Sequence, residues 1–346
     1  MTTPLDRHDV LLADLDGTLY RGAVAVPGAV EAVLAAQERG LATMYVTNNA
    51  SRRPVDVAAH LVELGFPATE REVVASSQAA ATMLAAQLPP RAAVLVVGTE
   101  ALAEEVTRVG LTVTADAAEA AAVVQGHNPE TGWRVLAEAT VALRAGAVWV
   151  ACNVDPTLPT ERGPLPGNGS MVAALRMASG REPQVAGKPA PALLHEAASR
   201  SGARNPLMIG DRLDTDVEGG RAAGMTTLLV LTGVSDATEL LGAPPALRPD
   251  LIGADMAALA LPADELAPGP RPGWDVRASD GGLELSGDGH ALDALRALCA
   301  AHWAAGGGPA RVSPSGEGAM RVLGELGLVP ATVAGADTPD PAGARP

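Results

Sequence analysis

The hydrophobic positions of this chain fall in short unbroken runs. "VLLA" at Val10–Ala13, "MYV" at Met44–Val46, "LMI" at Leu207–Ile209 and "LLV" at Leu228–Val230 each end at a polar residue, a glycine or a short polar turn. Such runs read as strands buried on both faces, the kind a parallel sheet requires. Between them lie segments of helical length and pattern. The spacing predicts helices near Gly28–Glu38, Pro54–Leu64, Pro191–Arg200 and Asp216–Ala223, and strands in "LATMYVTNN", "EPQVAGKP", "PLMIGD" and "TTLLVLTG". Strand and helix alternate in one block at the N-terminus and another after about residue 181, and the two blocks read as halves of one sheet.

Between the blocks, residues 78–180 carry the same alternation on their own. The strands there are "AVLVVG", "LTVT", "AAVVQG" and "AVWVACN", with helices near Glu100–Val109, Trp133–Arg144 and Ser170–Ala178. A segment of about a hundred residues is long enough for a domain with its own core. It is expected to cover the C-terminal edge of the main sheet, where open α/β sheets bind ligands. After "PDLIGAD" the texture changes. "LAPGPRPG" punctuates a linker, "WDVRASDGGLELSGDG" reads as a hairpin, and "ALDALRALCAAHWAAGG" and "EGAMRVLGELGLV" read as helices.

Composition narrows the function. The chain has 346 residues, of which 47% are hydrophobic, 19% charged and only 2% aromatic. Ala, Val and Leu must therefore fill the core. A formal charge of −15 argues against nucleic-acid binding, which needs an excess of Lys and Arg. The start "MTTPLDRHDV" lacks a signal peptide's basic head and apolar middle, and no apolar run approaches membrane-spanning length, so a cytoplasmic protein without membrane contact is expected. Cys152 and Cys299 are far apart with no metal-ligand spacing and read as packing residues.

Candidate chemistry sits at strand ends. Asp14 and Asp16 follow the first run, Thr47, Asn48 and Asn49 follow "MYV", Lys188 lies in "AGKP", and Asp211, Asp214 and Asp216 lie in "IGDRLDTD". In a parallel sheet these ends face one crevice. Carboxylates gathered there cannot all stay ionised without a cation, and an oxygen-rich, partly hydrated site suits Mg²⁺. Thr47, Asn48 and Lys188 would then be donors for a phosphoryl group, and an aspartate could attack phosphorus. Structural readings stand beside several of these. The aspartate pair could end a strand facing water, Thr47 could cap a helix, Asn49 could make a turn, and Lys188 could be a loop lysine.

The stretches "DLDGTL", "VTNN", "GKP" and "GDRLDTD" resemble, in order and spacing, the four motifs of the haloacid dehalogenase superfamily of phosphatases. With the inserted segment, "GDRLDTDVEGGRAAGMTTLLVLTGVS" is similar to subclass IIA. The resemblance covers about residues 5–255. It implies an α/β fold with a Rossmann-like parallel sheet core (1–77 and 181–264) and an inserted α/β cap (78–180), to which the pattern beyond the linker adds a small α+β C-terminal appendage (274–334) and a tail over 335–346 expected to be disordered. It also implies that Asp14 is the nucleophile and Asp16 the general acid and base. Mg²⁺, with Mn²⁺ or Co²⁺ able to substitute, would be held by Asp14, the carbonyl of Asp16 and Asp211. Thr47, Asn48, Asn49 and Lys188 would bind phosphate, Asp216 would orient Lys188 or a metal-bound water, and Asp214 would be solvated.

Specificity is expected from "ACNVDPTLPTERGPLPGNGS", residues 151–170. Leu158 stands there where the pyridoxal phosphate phosphatase branch has a histidine, which points to small, non-aromatic phosphates. Cap, composition and appendage together resemble the actinobacterial glycerol 3-phosphate phosphatases, whose extra region is similar to a truncated acetyltransferase-like fold. The expected activity is therefore hydrolysis of glycerol 3-phosphate. The alternatives are phosphoglycolate, pyridoxal phosphate or nitrophenyl phosphate as substrate, or a phosphate sensor acting through the C-terminal segment. Relatives of subclass IIA also imply a homodimer paired through the cap.

Overall fold

The computed structural model describes residues 2–160, 162–279 and 282–328. The main sheet has six parallel strands in the order Leu251–Gly253, Thr226–Val230, Pro206–Gly210, Val10–Asp14, Ala42–Thr47 and Val73–Ala75. The chain runs outward from Val10–Asp14 to one side and later returns to fill the other. The strand order therefore reverses beside the first strand, which is where doubly wound sheets bind ligands. The two halves expected from the sequence do join, with Val10 opposite Pro206 and Ala13 opposite Ile209.

Strand assignments differ from the sequence reading at several places. Val73–Ala75, a run of three, was not anticipated; it pairs with Tyr45–Thr47 at the sheet edge. Gln184–Val185 was expected in the main sheet and instead pairs with Val150 and Ala151 of the inserted segment. A two-residue strand carries too little pattern to choose its partner. It completes a second parallel sheet, ordered Gln184–Val185, Val148–Ala151, Ala122–Gln125, Ala93–Val97 and Thr112–Thr114.

The inserted segment and the main sheet share apolar packing. One buried cluster contains Leu12, Met44 and Met208 of the main sheet together with Val94, Val124 and Val150 of the second sheet. Ala79, Ala80 and Leu84, from the helix Ser76–Ala85, and Leu193, Leu194 and Ala197, from Ala192–Ser201, belong to the same cluster. A second cluster around Leu95, Val123, Trp149, Leu143 and Val172 fills the other face of the inserted sheet. The segment read as turn-rich, residues 151–170, contains an antiparallel hairpin, Thr157–Thr160 with Gly163–Pro166.

A separate compact unit comprises, among the described residues, Ala237–Gly242 and those between Gly269 and Leu328. Within it Trp274–Ser279 and Gly282–Gly287 form the expected hairpin, and Val312–Ser315 adds a parallel third strand that the sequence did not announce. The helices Ala291–Ala304 and Glu317–Glu325 follow the expected pattern. Residues 237–242, which sequence placed in the core segment, group here: the Trp303 indole N–H donates to the Leu241 carbonyl at 3.1 Å. The expected tail over 335–346 lies outside the described residues, as does the end of the appendage from 329. Among the described residues no helix is long and apolar enough to cross a membrane.

Candidate metal and phosphate site

Asp14 ends the first strand, and Lys188 comes from the loop after the returning strand of the second sheet. The Lys188 ammonium lies 2.6 Å from Asp14 Oδ1 and 2.6 Å from Asp216 Oδ1, with the lysine only 1% exposed. Asp216 sits on a π-helical turn, Leu213–Val217, a local widening common at functional sites. Its second oxygen accepts the Arg212 backbone N–H at 3.1 Å.

Asp211, fully buried, follows the strand Pro206–Gly210. Oδ1 accepts from the Thr18 hydroxyl at 3.2 Å, and Oδ2 accepts the Val234 N–H at 2.7 Å. Gly17 makes this approach possible. Its φ of +91° suits glycine, and a Cβ there would stand 2.5 Å from Asp211 Oδ2. Asp14, Asp211 and Asp216 each offer an oxygen within 4.8 Å of the others.

The charges explain the protonation behaviour. Burial pushes Asp14 well above the ordinary carboxylate range; Lys188 opposes this, and Asp216 and Asp211 add to it. Burial followed by Asp216 raises Asp211 to about 6. Burial alone would favour loss of the Lys188 proton, but Asp14 and Asp216 outweigh it and hold the ammonium above its usual range. Three carboxylates facing one ammonium leave two negative charges over. The oxygen-only donor set and that surplus both fit one hard divalent cation such as Mg²⁺.

Asp16 stands apart from this cluster. Its side chain reaches solvent, yet the surrounding protein excludes enough water to raise its pKa, against the opposing charges of Arg52, His60 and Lys188. Thr47 is buried. Its hydroxyl oxygen accepts the Asn49 N–H at 3.1 Å, which leaves the O–H proton available to donate. Asn49 Oδ1 is occupied by the Ser51 N–H at 2.8 Å, the turn role that was one of its two readings.

The Asn48 side chain is engaged within the protein. Its amide donates to the Lys188 carbonyl at 2.9 Å and to Asp155 at 3.3 Å, and its Oδ1 accepts the Lys188 N–H at 2.8 Å. A side chain used on both faces by the protein has no amide atom left over. Asp214, expected to be solvated, is exposed but forms a two-point pair with Arg212 at 2.9 and 2.7 Å. Leu158 lies on the cap hairpin directly opposite Leu165, and each is 38% exposed. Sequence reasoning missed Thr18, Arg52 and His60. Thr18 was within reach, since it adjoins the aspartate pair, whereas Arg52 and His60 approach Asp16 only through folding.

Comparison with known proteins agrees with this geometry. A model of the haloacid dehalogenase-like hydrolase family matches residues 11–112, a second model of the same type matches 185–259, and a GCN5-related N-acetyltransferase-like model matches 271–328. The chain is 51% identical over 315 residues to the D-glycerol 3-phosphate phosphatase of Mycobacterium tuberculosis, covering 88% of either protein. It is 39% identical over 226 residues to a 5'-nucleotidase of Bacillus subtilis, covering 65% of this chain and 87% of that one. The crystal structure of a glycerol phosphate phosphatase from M. tuberculosis in complex with magnesium superposes with a TM-score of 0.90 at 50% identity, covering 95% of this chain and all of the other. With the ordered motifs and the gathered carboxylates, these matches make the chain a member of the haloacid dehalogenase-like hydrolase family.

Proposed function

We propose that this protein is a Mg²⁺-dependent phosphomonoesterase whose substrate is glycerol 3-phosphate. The observation that carries the reading is Asp14, placed at the sheet's reversal point with Lys188 at 2.6 Å and Asp211 and Asp216 beside it. The choice of substrate follows the 51% identity to a D-glycerol 3-phosphate phosphatase along nearly the whole chain, appendage included.

Asp14 and Asp211 would hold the metal through carboxylate oxygens, and Asp16 through its carbonyl. Magnesium bound there would offset the charge that builds on the phosphoryl oxygens. Asp14 attacks phosphorus, the bond from phosphorus to the glycerol oxygen breaks, and an aspartyl-phosphate forms. Asp16, whose raised pKa favours keeping a proton, donates it to the departing alkoxide. It then takes a proton from the water that attacks the aspartyl-phosphate, which releases phosphate and restores Asp14. Lys188 neutralises Asp14 before attack and the phosphoryl group afterwards, oriented by Asp216. Thr47 donates its hydroxyl proton to a phosphoryl oxygen. Asn48 acts by fixing Lys188, and Asn49 by shaping the turn. Leu158 gives the cap an apolar contact for a short, non-aromatic alcohol.

Phosphate release from a panel of phosphate esters, with and without Mg²⁺, tests the reading. Glycerol 3-phosphate should show the highest kcat/KM, ahead of phosphoglycolate, pyridoxal phosphate and nitrophenyl phosphate. No release from any ester would overturn the reading. A cytoplasmic location and a homodimer paired through the cap complete the proposal; light scattering of the purified protein decides the second.

A further inference from the structure

Three asparagines make the same contact in series. The Asn168 amide donates to the Asn153 carbonyl at 2.7 Å, the Asn153 amide to the Asn48 carbonyl at 2.7 Å, and the Asn48 amide to the Lys188 carbonyl at 2.9 Å. Asn48 also accepts the Lys188 N–H, so the lysine backbone is gripped through both of its polar groups. The Lys188 side chain then reaches Asp14 and Asp216.

Both cap asparagines are buried, with 5% of Asn153 and 2% of Asn168 exposed. Asn153 is oriented from its other end as well, since its Oδ1 accepts the Asp155 N–H at 3.2 Å. Asn168 opens the helix Asn168–Ser179, and Asn153 follows the strand Val148–Ala151. Both lie in the 151–170 segment expected to face substrate. The Asn48 carbonyl also accepts the Ser76 hydroxyl at 2.7 Å, and the Asn168 amide also reaches the Gln125 carbonyl at 3.4 Å, so Asn153 is the link that ties Asn48 to the cap segment, while Ser76 holds it from the main-sheet side.

We propose that Asn153 and Asn168 are positioning residues that carry the register of this cap segment through Asn48 to Lys188, and so set the ammonium on Asp14. The kinetic consequence rests on the phosphatase reading; the geometric one does not. A lysine ammonium wedged between two carboxylates tolerates little displacement of its own backbone. Misplacing a catalytic group by about 1 Å can cost roughly 100-fold in rate. The hydrogen bonds that shape the substrate-facing segment thus also set the neutralisation of the nucleophile.

The test uses two variants of the full chain. Asn153→Asp keeps the side chain's shape and the oxygen that accepts from Asp155, but removes the donor to Asn48. Asn168→Ala breaks the previous link and serves in its place if the first variant does not fold. Crystal structures of the variants should show the distance from Lys188 Nζ to Asp14 lengthened beyond hydrogen-bond reach, about 3.5 Å. In kinetics, kcat should fall about tenfold or more, with KM changed by less than about twofold. In a Lys188→Ala background Asn153→Asp should cause no further loss, because its effect runs through that lysine. Thr227→Val, which removes a part-buried hydroxyl bond to Asp250 in the main sheet, should lower the melting temperature and leave kcat unchanged. A variant with the Lys188–Asp14 contact intact, or a loss that adds in full to that of Lys188→Ala, would overturn the proposal. Failure of the phosphatase reading would show separately, as a wild-type protein that turns over no phosphate ester, and the crystallographic distance would still decide the positioning role.

Discussion

A Cβ on Gly233 would stand 1.8 Å from Asp211 Oδ2, closer than non-bonded atoms can lie. The chain just beyond wraps the same residue: the Val234 N–H donates to Oδ2 at 2.7 Å, and the Ser235 N–H to the Asp211 carbonyl at 3.1 Å. Gly233→Ala must therefore push the carboxylate away from Asp14 and Asp216. The expected result is a folded protein whose Mg²⁺ affinity falls by about tenfold or more, a loss of about 1.4 kcal/mol. Titration calorimetry with Mg²⁺ measures it directly, and unchanged affinity would remove Asp211 from the metal site.

Asp211 also sets a pH dependence whose sign can be worked out. Its folded-state pKa is raised from 3.8 to about 6, first by burial and then by Asp216. An acid with a raised folded pKa contributes stability that is fully present below its unfolded pKa and is lost as pH rises through the folded one. The metal-free protein should lose stability as pH rises from about 4 to about 6, by up to about 3 kcal/mol from this group. Mg²⁺ binds the ionised form, so its stabilising effect should grow over the same interval. Melting curves with Mg²⁺ and with a chelator, run across that range, give both trends. Asp211→Asn should flatten the first and abolish the second.

Removing the ammonium tests the same electrostatics from the other side. Lys188→Met leaves Asp14 and Asp216 buried without their shared cation. Breaking a buried ion pair on one side costs about 3–5 kcal/mol, because the charge left behind has lost its compensation. The variant should melt well below wild type near neutral pH and recover part of the difference in acid, where the carboxylates take up protons. Denaturant titrations at two pH values check it. A variant as stable as the wild type would mean that the ammonium does not neutralise these carboxylates.

The site was legible in the sequence to the extent that strand ends carry information. Asp14, Thr47, Asp211 and Asp216 could be gathered on paper because parallel strands deliver their C-terminal ends to one crevice, whereas Lys188 arrives from the loop after Gln184–Val185 of the second sheet. The side-chain partners of Asn48 could not be read from the sequence, for a physical reason. Sequence shows a residue's donors and acceptors, but not that Lys188, 140 positions later, takes both ends of its amide. Short elements were lost in the same way. Val73–Ala75 and Val312–Ser315 are too brief to show a period, and Gln184–Val185 finds its partner only through the second sheet. Long periodic helices such as Trp133–Arg144 were read to the residue, because twelve positions average out exceptions.

The shared cluster of apolar side chains makes the inserted segment dependent on what flanks it. Leu84 is fully buried in a cluster that also holds Leu12 and Met208 from one sheet and Val124 and Val150 from the other. Leu84→Ala should therefore destabilise both sheets together, by about 2–5 kcal/mol. Buried Trp149, in the inserted sheet, reports on one of them. With the other three tryptophans replaced by phenylalanine, its fluorescence and the far-ultraviolet signal should report the same loss of stability. Residues 78–180 expressed alone would lack the edge strand Gln184–Val185 and the apolar partners Leu12, Met44, Leu193 and Met208. An exposed apolar face of that size cannot be left in water without loss of folding or association. The excised segment should therefore aggregate or remain unfolded by circular dichroism. A stable, monomeric fragment with a cooperative melt would show that the inserted sheet's own cluster around Leu143 and Trp149 is sufficient, and that the packing against the main sheet is an accessory contact.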